Sequence, residues 1–593
     1  MKSTKTPFVL LLFAITYLTS CNLDDGPYLG NDTQESIPET FSQYFGNDIS
    51  RDFLGTVVDE NNAPIAGATI SVGGQVTQTD INGIFILQDA DVYERFGYVK
   101  ASKPGYLNGS RALVPSEGTN KVRIMLLPET IAGTVSSGQP GEVELSNGSS
   151  VNFDGNFMDE NGTTYEGNVN VIMHHLDPTD DDMELQMPGM LYAQNEDGAE
   201  RMLQTLGMLA VELKGESGED LNLAEGSSSE IRIPVDPSLM GMAPATIPLW
   251  YFDEEHGYWK EEGEATLQGN EYVGVVTHFS FWNCDIPAEA ITLCVNVVDI
   301  ENNPLDSLIL NITSSTYGTT SGITDEKGEV CGLVPRNESL LLEVYDFTCG
   351  QQLIFSESIG PFSEDESINF TLATTNEIIQ TITGTINNCN GENLENGYVV
   401  INYNDQENYK LVNNGNFEFN IISCESINDF SLRAVDLNTF QTSATYNYTF
   451  NTSTTNIDSI NTCISQEEYI IYFIDNSNDI MFYDNIDVDL NENNFTVLRR
   501  LEPGSDMKFL TDLPNELGQF ITSSTNGMIL NVFYPVGSSN QYVSIGNYGI
   551  NIEITYIGAG VGDLIDMNFN GTFQDPGGVE HTIEGQVHVR IDE

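Results

Sequence analysis

Residues 55–85, GTVVDENNAPIAGATISVGGQVTQTDINGIF, contain the pattern from which the fold of this chain can be predicted. Two short runs rich in β-branched residues, 56–58 and 69–72, lie on either side of a turn that contains Pro64. The segment ends in TDING at 79–83, where Asp offers a side-chain hydrogen bond and Gly the positive φ that a tight hairpin needs. The pattern therefore predicts a strand, a proline turn, a second strand and a hairpin.

The same order of elements occurs twice more. Residues 295–330 contain VNVVD, then Pro304, then TDEKG, and a looser copy runs from GTI at 384–386 to NGNF at 414–417. Short alternating runs of Thr, Val, Ile and aromatic residues continue along the chain, and helical periodicity is scarce. We therefore predict an all-β, multi-domain protein of tandem β-sandwich domains, arranged like beads on a string.

These copies, with KPGY at 103–106 closing the first, resemble the carboxypeptidase-regulatory-like domain, a small transthyretin-like β-sandwich. The resemblance is best over 51–128, moderate over 290–374 and weakest over 378–463. Members of that family are non-catalytic modules attached to peptidases, outer-membrane receptors and surface lipoproteins. The resemblance therefore implies a supporting role rather than an enzyme.

The N-terminus predicts export and a lipid anchor. Lys2 and Lys5 precede an apolar run at 8–15 that is too short to span a bilayer, so a cleaved signal is favoured over a membrane helix. The run leads to LTSC at 18–21, which resembles the lipobox of bacterial lipoproteins and implies lipidation of Cys21. We expect an outer-membrane protein held by this lipid and exposed at the cell surface; an ordinary secreted protein is the alternative.

The charge balance limits the partners. The chain has 88 acidic and 21 basic residues and a net charge of −67, so it repels phosphate backbones and nucleic acid is excluded as a partner. A glycan or a protein ligand remains open. The sequence contains no G-x-S-x-G, P-loop or H-E-x-x-H motif, so we predict no enzyme activity on an external substrate.

The cysteines predict disulfides and an oxidising environment. Besides Cys21 there are seven, all between 284 and 463, and none forms a C-x-x-C pair. Seven is an odd number, so at least one stays unpaired, and the sequence leaves the connectivity open. The disulfide candidates are Cys294, Cys331, Cys349, Cys389, Cys424 and Cys463.

These signals together give a domain plan. It comprises a signal peptide at 1–20, a tether at 21–50, a regulatory-like sandwich at 51–128, a Trp-rich β-domain at 129–288, a second regulatory-like sandwich at 289–376, a third, weaker sandwich at 377–463 and a C-terminal β-domain of unknown type at 464–593.

Two kinds of functional site are candidates in the Trp-rich β-domain. Its last segment contains His278-Phe279-Ser280, which resembles the autoproteolytic strand of ankyrin- and netrin-receptor-type proteins. Period two would place His278 and Ser280 on one strand face, where the hydroxyl could attack the preceding carbonyl; an ordinary core strand is the alternative. An exposed Tyr251 or Trp259 could instead stack on a sugar ring.

Calcium is the candidate cofactor. Asp180, Asp181 and Asp182 crowd one loop, and Asp487 and Asp489 occupy the first ligand positions of an EF-hand-like series. Plain solvated loops are the alternative in so acidic a chain.

The sequence thus predicts a non-enzymatic cell-surface lipoprotein for adhesion or ligand presentation. The alternatives are a glycan-binding component of a polysaccharide uptake system and a self-processing surface protein.

Overall fold

The computed structural model describes residues 41–593 with several short gaps. The gaps are 347–348, 350–351, 373–377, 405, 425–426, 440, 466–468, 475–476, 483–485, 491–493, 501–505, 516, 523–527, 537–538, 546–547, 558–563, 576–577 and 592–593. Cys21 and the predicted signal peptide therefore lie outside the described residues.

The strands fall into five consecutive groups. The first sandwich contains a 3₁₀ turn, Phe41–Tyr44, and β1 Asp48–Val58, β2 Thr69–Val72, β3 Gln75–Gln78, β4 Ile84–Tyr93, β5 Gly97–Ser102, β6 Gly109–Leu113 and β7 Asn120–Met125. The large sheet domain contains β8 Ile131–Ser136, β9 Gly141–Glu144, β10 Ser150–Phe153, β11 Phe157–Asp159, β12 Asn168–Leu176, helix α1 Met183–Gln186, β13 Tyr192–Gln194, β14 Glu200–Lys214, β15 Asp220–Leu223, β16 Ser229–Pro234, β17 Thr246–Asp253, β18 Tyr258–Gln268, β19 Glu271–Val276 and β20 Phe281–Ala288.

The remaining three groups are also sandwiches. The second sandwich contains β21 Ala290–Val298, β22 Leu308–Ser314, β23 Gly318–Ile323, β24 Glu329–Pro335, β25 Leu340–Asp346, β26 Gln352–Ile359 and β27 Glu366–Thr371. The third contains β28 Ile378–Asn388, β29 Gly397–Tyr403, β30 Gln406–Leu411, β31 Asn416–Ser423, β32 Asp429–Asp436, β33 Gln441–Thr442, β34 Tyr446–Thr449, β35 Thr454–Thr462 and β36 Ile464–Ser465. The C-terminal sandwich contains β37 Tyr469–Ile474, β38 Ser477–Phe482, β39 Ile486–Leu490, β40 Asn494–Arg500, β41 Asp506–Pro514, β42 Gly518–Ile521, β43 Ile529–Val536, β44 Ser539–Ser544, β45 Asn551–Ile557, β46 Leu564–Gln574 and β47 Glu580–Arg590.

The first, second and third sandwiches share one topology. In each, the first strand lies at the centre of a three-stranded sheet, in the orders β4-β1-β7, β24-β21-β27 and β31-β28-β35. The central strand runs antiparallel to the first-named neighbour and parallel to the second. The predicted repeat therefore corresponds to three copies of one arrangement, and the prediction of an all-β chain of tandem β-sandwiches is confirmed.

The repeated turn folds for the reasons expected from its residues. The Asp80 carboxylate accepts hydrogen bonds from the backbone N–H groups of Asn82 and Ile84, both at 2.9 Å, and Gly83 has a φ of 70°. Asp325 accepts the equivalent pair at 2.8 and 2.9 Å in the second sandwich. The carboxylate accepts hydrogen bonds that the N–H groups of the turn would otherwise make to a neighbouring strand, and these bonds hold the hairpin in its conformation.

The threonine before this aspartate also has a role. The Thr79 hydroxyl is buried; it donates to the Ile65 carbonyl at 2.6 Å and accepts from the Ala68 N–H at 2.8 Å. Thr324 makes the same two bonds at 2.7 and 3.0 Å in the second sandwich. This hydroxyl ties the hairpin to the second strand and satisfies backbone groups that would otherwise be buried unpaired.

The other two domains differ from the small sandwiches. Strands β8 to β20 form one 13-stranded sheet, with one apolar cluster around Trp282 and another around Trp250 and Trp259. The C-terminal sandwich packs a six-stranded sheet, β38-β37-β47-β46-β45-β42, on a five-stranded one, β39-β40-β41-β43-β44. Among the described residues, no helix has the length and hydropathy needed to cross a bilayer.

The tether predicted for 21–50 is wrong over its last part. Strand β1 begins at Asp48, and Phe41 and Phe45 are only 3% and 7% exposed. Their rings pack with Tyr192 and Tyr258 of the large sheet domain. Burial of two aromatic rings outweighs the polar composition on which the tether prediction rested.

Candidate functional site

The hairpins of the repeat contact neighbouring domains. In the second sandwich, Asp325 accepts a hydrogen bond from the Gly118 N–H at 2.7 Å, and Glu326 accepts one from the Thr119 N–H at 3.0 Å. Gly118 and Thr119 belong to the loop before β7 of the first sandwich. The hairpin that closes a turn within the second sandwich therefore also binds backbone groups of the first sandwich.

The corresponding hairpin of the first sandwich contacts the third. The Tyr398 hydroxyl donates to the Asp80 carboxylate at 2.6 Å and accepts from the Asn82 side-chain amide at 2.9 Å. Burial raises the pKa of Asp80 although these hydrogen bonds oppose the shift. The phenol is therefore held by two partners from a different domain.

A buried charge cluster joins the same three sandwiches. The Asp306 carboxylate lies 3.0 Å from the Lys121 ammonium and 2.9 Å from that of Lys410, so each sandwich contributes one residue. The side chains of Asp306 and Lys410 are 2% and 8% exposed. Burial alone would raise the pKa of Asp306, but the two ammonium groups more than offset this and hold it at about 2.

Apolar side chains surround this polar contact. Leu54, Ile84 and Ile86 on the first sandwich form one buried cluster with residues of the third. The third sandwich contributes Tyr398, Val400, Leu411 and Val435. Together with Lys121, Asp306, Lys410 and the two hairpins, this cluster is called the three-sandwich junction below.

The six candidate cysteines form three disulfides. Cys294 pairs with Cys331 within the second sandwich, and Cys389 pairs with Cys463 within the third. The bond between Cys349 and Cys424 crosses from the second sandwich to the third. Cys284 is free and buried, as the odd number of cysteines required.

The first sandwich is also attached to the large sheet domain. Arg95 lies 3.5 Å from Glu200 in that domain and 3.4 Å from Asp365 in the second sandwich, and it donates to the Thr292 hydroxyl at 2.9 Å. One guanidinium thus bridges three domains, with geometry suited to several acceptors. The tandem sandwiches are therefore packed against one another and not only joined end to end.

The H-F-S segment does not form a strand. Residues 277–280 connect β19, which pairs with β16 and β18, to β20, which pairs with β14 and β17. The Ser280 hydroxyl donates to the Phe281 carbonyl at 3.1 Å, and His278 lies 3.5 Å from Glu262. The prediction of a shared strand face is wrong, because the chain changes strand partners here; cleavage before Ser280 stays a prediction.

The acidic loop packs on the first sandwich. Arg111 donates to the carbonyl groups of Glu184 and Gly189, which anchors the segment containing Asp180, Asp181 and Asp182. In the described part of the chain, the one group of three potential ligands within 4.8 Å is Cys294, Glu329 and Cys331, and its cysteines are disulfide-bonded. Asp487 and Asp489 lie in β39, and their side chains are outside the described part of the chain. Calcium binding stays a prediction.

The tryptophans belong to the core. Trp250, Trp259 and Trp282 are each 0% exposed, so the proposed Trp259 sugar platform is wrong. Tyr251 is half-buried and its ring lies 4.7 Å from that of His278. These aromatic side chains are used for packing because they bury large apolar areas.

A shallow groove crosses the outer face of β31-β28-β35 in the third sandwich. It has a volume of about 410 Å³ and opens widely to solvent. Its polar lining is Thr383, Thr385, Asn413, Asn416, Glu418 and Asn456. This feature is called the polar groove below; alternating Thr and Asn in strands were the one signal for it in the sequence.

The residues of the three-sandwich junction were also missed from the sequence. Lys410 lies in NYKLV, a run of strand character. Basic residues are rare in this chain, which has 21 of them in 593 residues. A lone basic residue inside such a run was the signal that could have pointed to a buried ion pair.

No protein-family model matches the chain, and no curated protein matches it. Solved structures with local similarity include the shaft pilin SpaA of Lactobacillus rhamnosus GG (12% identity, TM-score 0.16, 30% of this chain and 98% of that one) and a streptococcal ancillary pilin (11%, 0.14, 38% and 96%). The major pilin subunit BcpA of Bacillus cereus has 10% identity and a TM-score of 0.12, over 70% of this chain and 99% of that one.

Proposed function

We propose that this chain is a non-enzymatic, lipid-anchored protein of the outer-membrane surface that acts in adhesion or ligand presentation. The observation that carries the proposal is the three-sandwich junction. Lys121, Asp306 and Lys410 come from three domains and meet in a buried cluster, and a disulfide between Cys349 and Cys424 reinforces the contact.

Such a junction suits a presenting protein. Domains joined only by linkers move relative to one another, and interfaces of apolar and disulfide-bonded contacts suppress that motion. A packed body holds a binding surface at a fixed place and avoids the entropy cost of ordering it on contact with a ligand. Disulfides also agree with an oxidising exterior.

The test is the location of full-length protein in its own cells. Wild-type protein is expected to incorporate labelled palmitate, to partition into detergent and to be digested by protease added to intact cells. Cys21→Ser should lose all three properties, because no other thiol takes the lipid. Cys284→Ser is the matched control and should keep the label, since Cys284 is buried. Wild-type protein that stays in the aqueous phase would overturn the proposal.

The glycan-binding alternative is favoured by one observation, the polar side chains that line the polar groove.

A further inference from the structure

The short segment that precedes the first strand has two different sides. Phe41 and Phe45 are buried, whereas Ser42 and Gln43 between them are exposed. In the part of the chain that the structure describes, this segment pairs with no strand, because β1 begins only at Asp48. It is therefore held to the body by its aromatic face, and residues 41–45 are called the aromatic strap below.

The groove that receives the aromatic strap is built by three domains. The Phe41 ring lies 4.4 Å from that of Tyr258, and the Phe45 ring stacks on Phe96 at 4.3 Å. The lining residues come from the first sandwich, the large sheet domain and the second sandwich; they are Phe96, Ala112, Met190, Tyr192, Tyr258 and Leu333. This set is called the aromatic groove below.

The strap is held as a bound peptide is held. Side chains four residues apart on a helical turn lie on the same side, and two such apolar anchors in a groove are a common mode of peptide recognition. Polar contacts come from the rim: Arg95 donates its backbone N–H to the Phe45 carbonyl at 2.8 Å and its guanidinium to the Tyr44 carbonyl at 3.0 Å. Buried aromatic anchors with polar contacts at the rim are typical of binding hot spots.

The groove selects an uncharged aromatic segment. Its rings are enclosed between domains, so a hydrophilic ligand would lose its hydration there without finding polar partners. The rim cation Arg95 lies 3.5 Å from Glu200 and 3.4 Å from Asp365. An anionic ligand would therefore meet two like charges, whereas a peptide carbonyl accepts from the guanidinium without this cost.

We propose that the aromatic groove is a peptide-binding site and that residues 41–45 are its resident ligand. A ligand that binds only where three domains meet stabilises their arrangement, so the strap locks these domains together and joins the N-terminal tether to them. The inference deepens the proposed function by specifying how the lipid-bearing segment is fixed to the presenting body, and it rests on that function for its biological setting.

Isothermal titration with the strap peptide TFSQYFGN, residues 40–47, tests the proposal. The receptor is the full chain with Cys21→Ser for solubility and with Phe41→Ala and Phe45→Ala, which remove the two anchors from the groove. This strap variant should bind the peptide with a Kd of about 1 mM or tighter. The parent chain with an intact strap should bind it at least about tenfold more weakly, because its own segment competes at a high effective concentration.

Two controls separate the groove from general stickiness. A peptide with Ala in place of both Phe residues should bind the strap variant at least about tenfold more weakly. Tyr446→Ala with Tyr548→Ala removes two aromatic rings that are 41% and 45% exposed elsewhere, and this chain should behave as the parent does.

The melting temperature gives a second readout. The strap peptide should raise the melting temperature of the strap variant and leave that of the control chain unchanged, because a ligand stabilises only the state that it binds. If the strap variant does not fold, Phe41→Ala alone takes its place. It keeps Phe45 stacked on Phe96 and should still bind the peptide more tightly than the parent chain.

Three results would overturn the proposal: no peptide binding by a folded strap variant, equal binding of the Ala peptide, or equal binding by the parent chain. All of these measurements use soluble protein without lipid. The proposed function fails by a different result, which is loss of the palmitate label and of surface exposure in wild-type cells.

Discussion

Replacing Lys410 with Met is the sharpest perturbation of the three-sandwich junction. The substitution keeps the length of the side chain and removes the ammonium that lies 2.9 Å from Asp306. The Asp306 carboxylate is 2% exposed, so it would keep only Lys121 as a cationic partner in a buried site. Breaking one side of a buried ion pair costs about 3–5 kcal/mol.

The pKa of Asp306 gives a second way to judge the free energy that this ion pair contributes. It is lowered from 3.8 to about 2, and each unit corresponds to about 1.4 kcal/mol, so the two ammonium groups stabilise the folded chain by about 2 kcal/mol after the opposing effect of burial is subtracted. Lys410→Met removes one ammonium group and leaves the cost of burying the carboxylate in place, so we expect it to lower the free energy of unfolding by about 2–3 kcal/mol.

The measurement is urea denaturation of the soluble Cys21→Ser chain, followed by far-ultraviolet circular dichroism. Tryptophan fluorescence reports separately on the large sheet domain, which contains all three tryptophans. Lys327→Met is the matched control, since Lys327 is 53% exposed and lies 3.5 Å from Glu117. An exposed pair contributes at most about 1 kcal/mol. If Lys410→Met costs no more than Lys327→Met, the junction does not stabilise the fold as argued.

The same pair predicts a pH dependence. The pKa of Asp306 is lower in the folded chain than the ordinary 3.8, so the stabilisation is fully present above about pH 4 and is lost as the pH falls towards 2. In Lys410→Met this acid-dependent loss should be smaller, because the pKa of Asp306 returns towards its ordinary value. An identical acid profile in both proteins would contradict the assignment.

Three further substitutions test individual contacts and the bond before Ser280. Tyr398→Phe removes the hydroxyl that donates to the buried Asp80, so the melting temperature should fall with a cost of about 1–3 kcal/mol; an unchanged melting curve would be evidence against this contact. Replacing both Cys349 and Cys424 with Ser should lower the free energy of unfolding by about 2–4 kcal/mol, which comparison of oxidised proteins in urea would detect. If the bond before Ser280 is cut, denaturing mass spectrometry should show two fragments in wild type and an intact chain in Ser280→Ala; an uncut wild-type chain would end that hypothesis.

The strands, the hairpins and the presence of an unpaired cysteine could be predicted from the sequence. The TDxxG turns need an acceptor at Asp80 and Asp325 and a positive φ at the following glycine, and these are properties of a few adjacent residues. The H-F-S segment shows the limit of such reasoning. Its alternation fits a strand, but strand pairing on either side changes between Val276 and Phe281, and pairing depends on distant residues.

Local chemistry therefore determined the fold class, the repeated topology and the odd cysteine. The tertiary structure decided which residues from different domains meet: Lys121 with Asp306 and Lys410, Tyr398 with Asp80, and Cys349 with Cys424. It also decided that the tryptophans are core residues and that Thr383, Glu418 and Asn456 form one row. The physical reason is the distance along the chain over which each effect acts. Turn geometry and strand alternation depend on a few adjacent residues, whereas burial and ion pairing join side chains that can be hundreds of residues apart. No local pattern encodes which of those side chains meet.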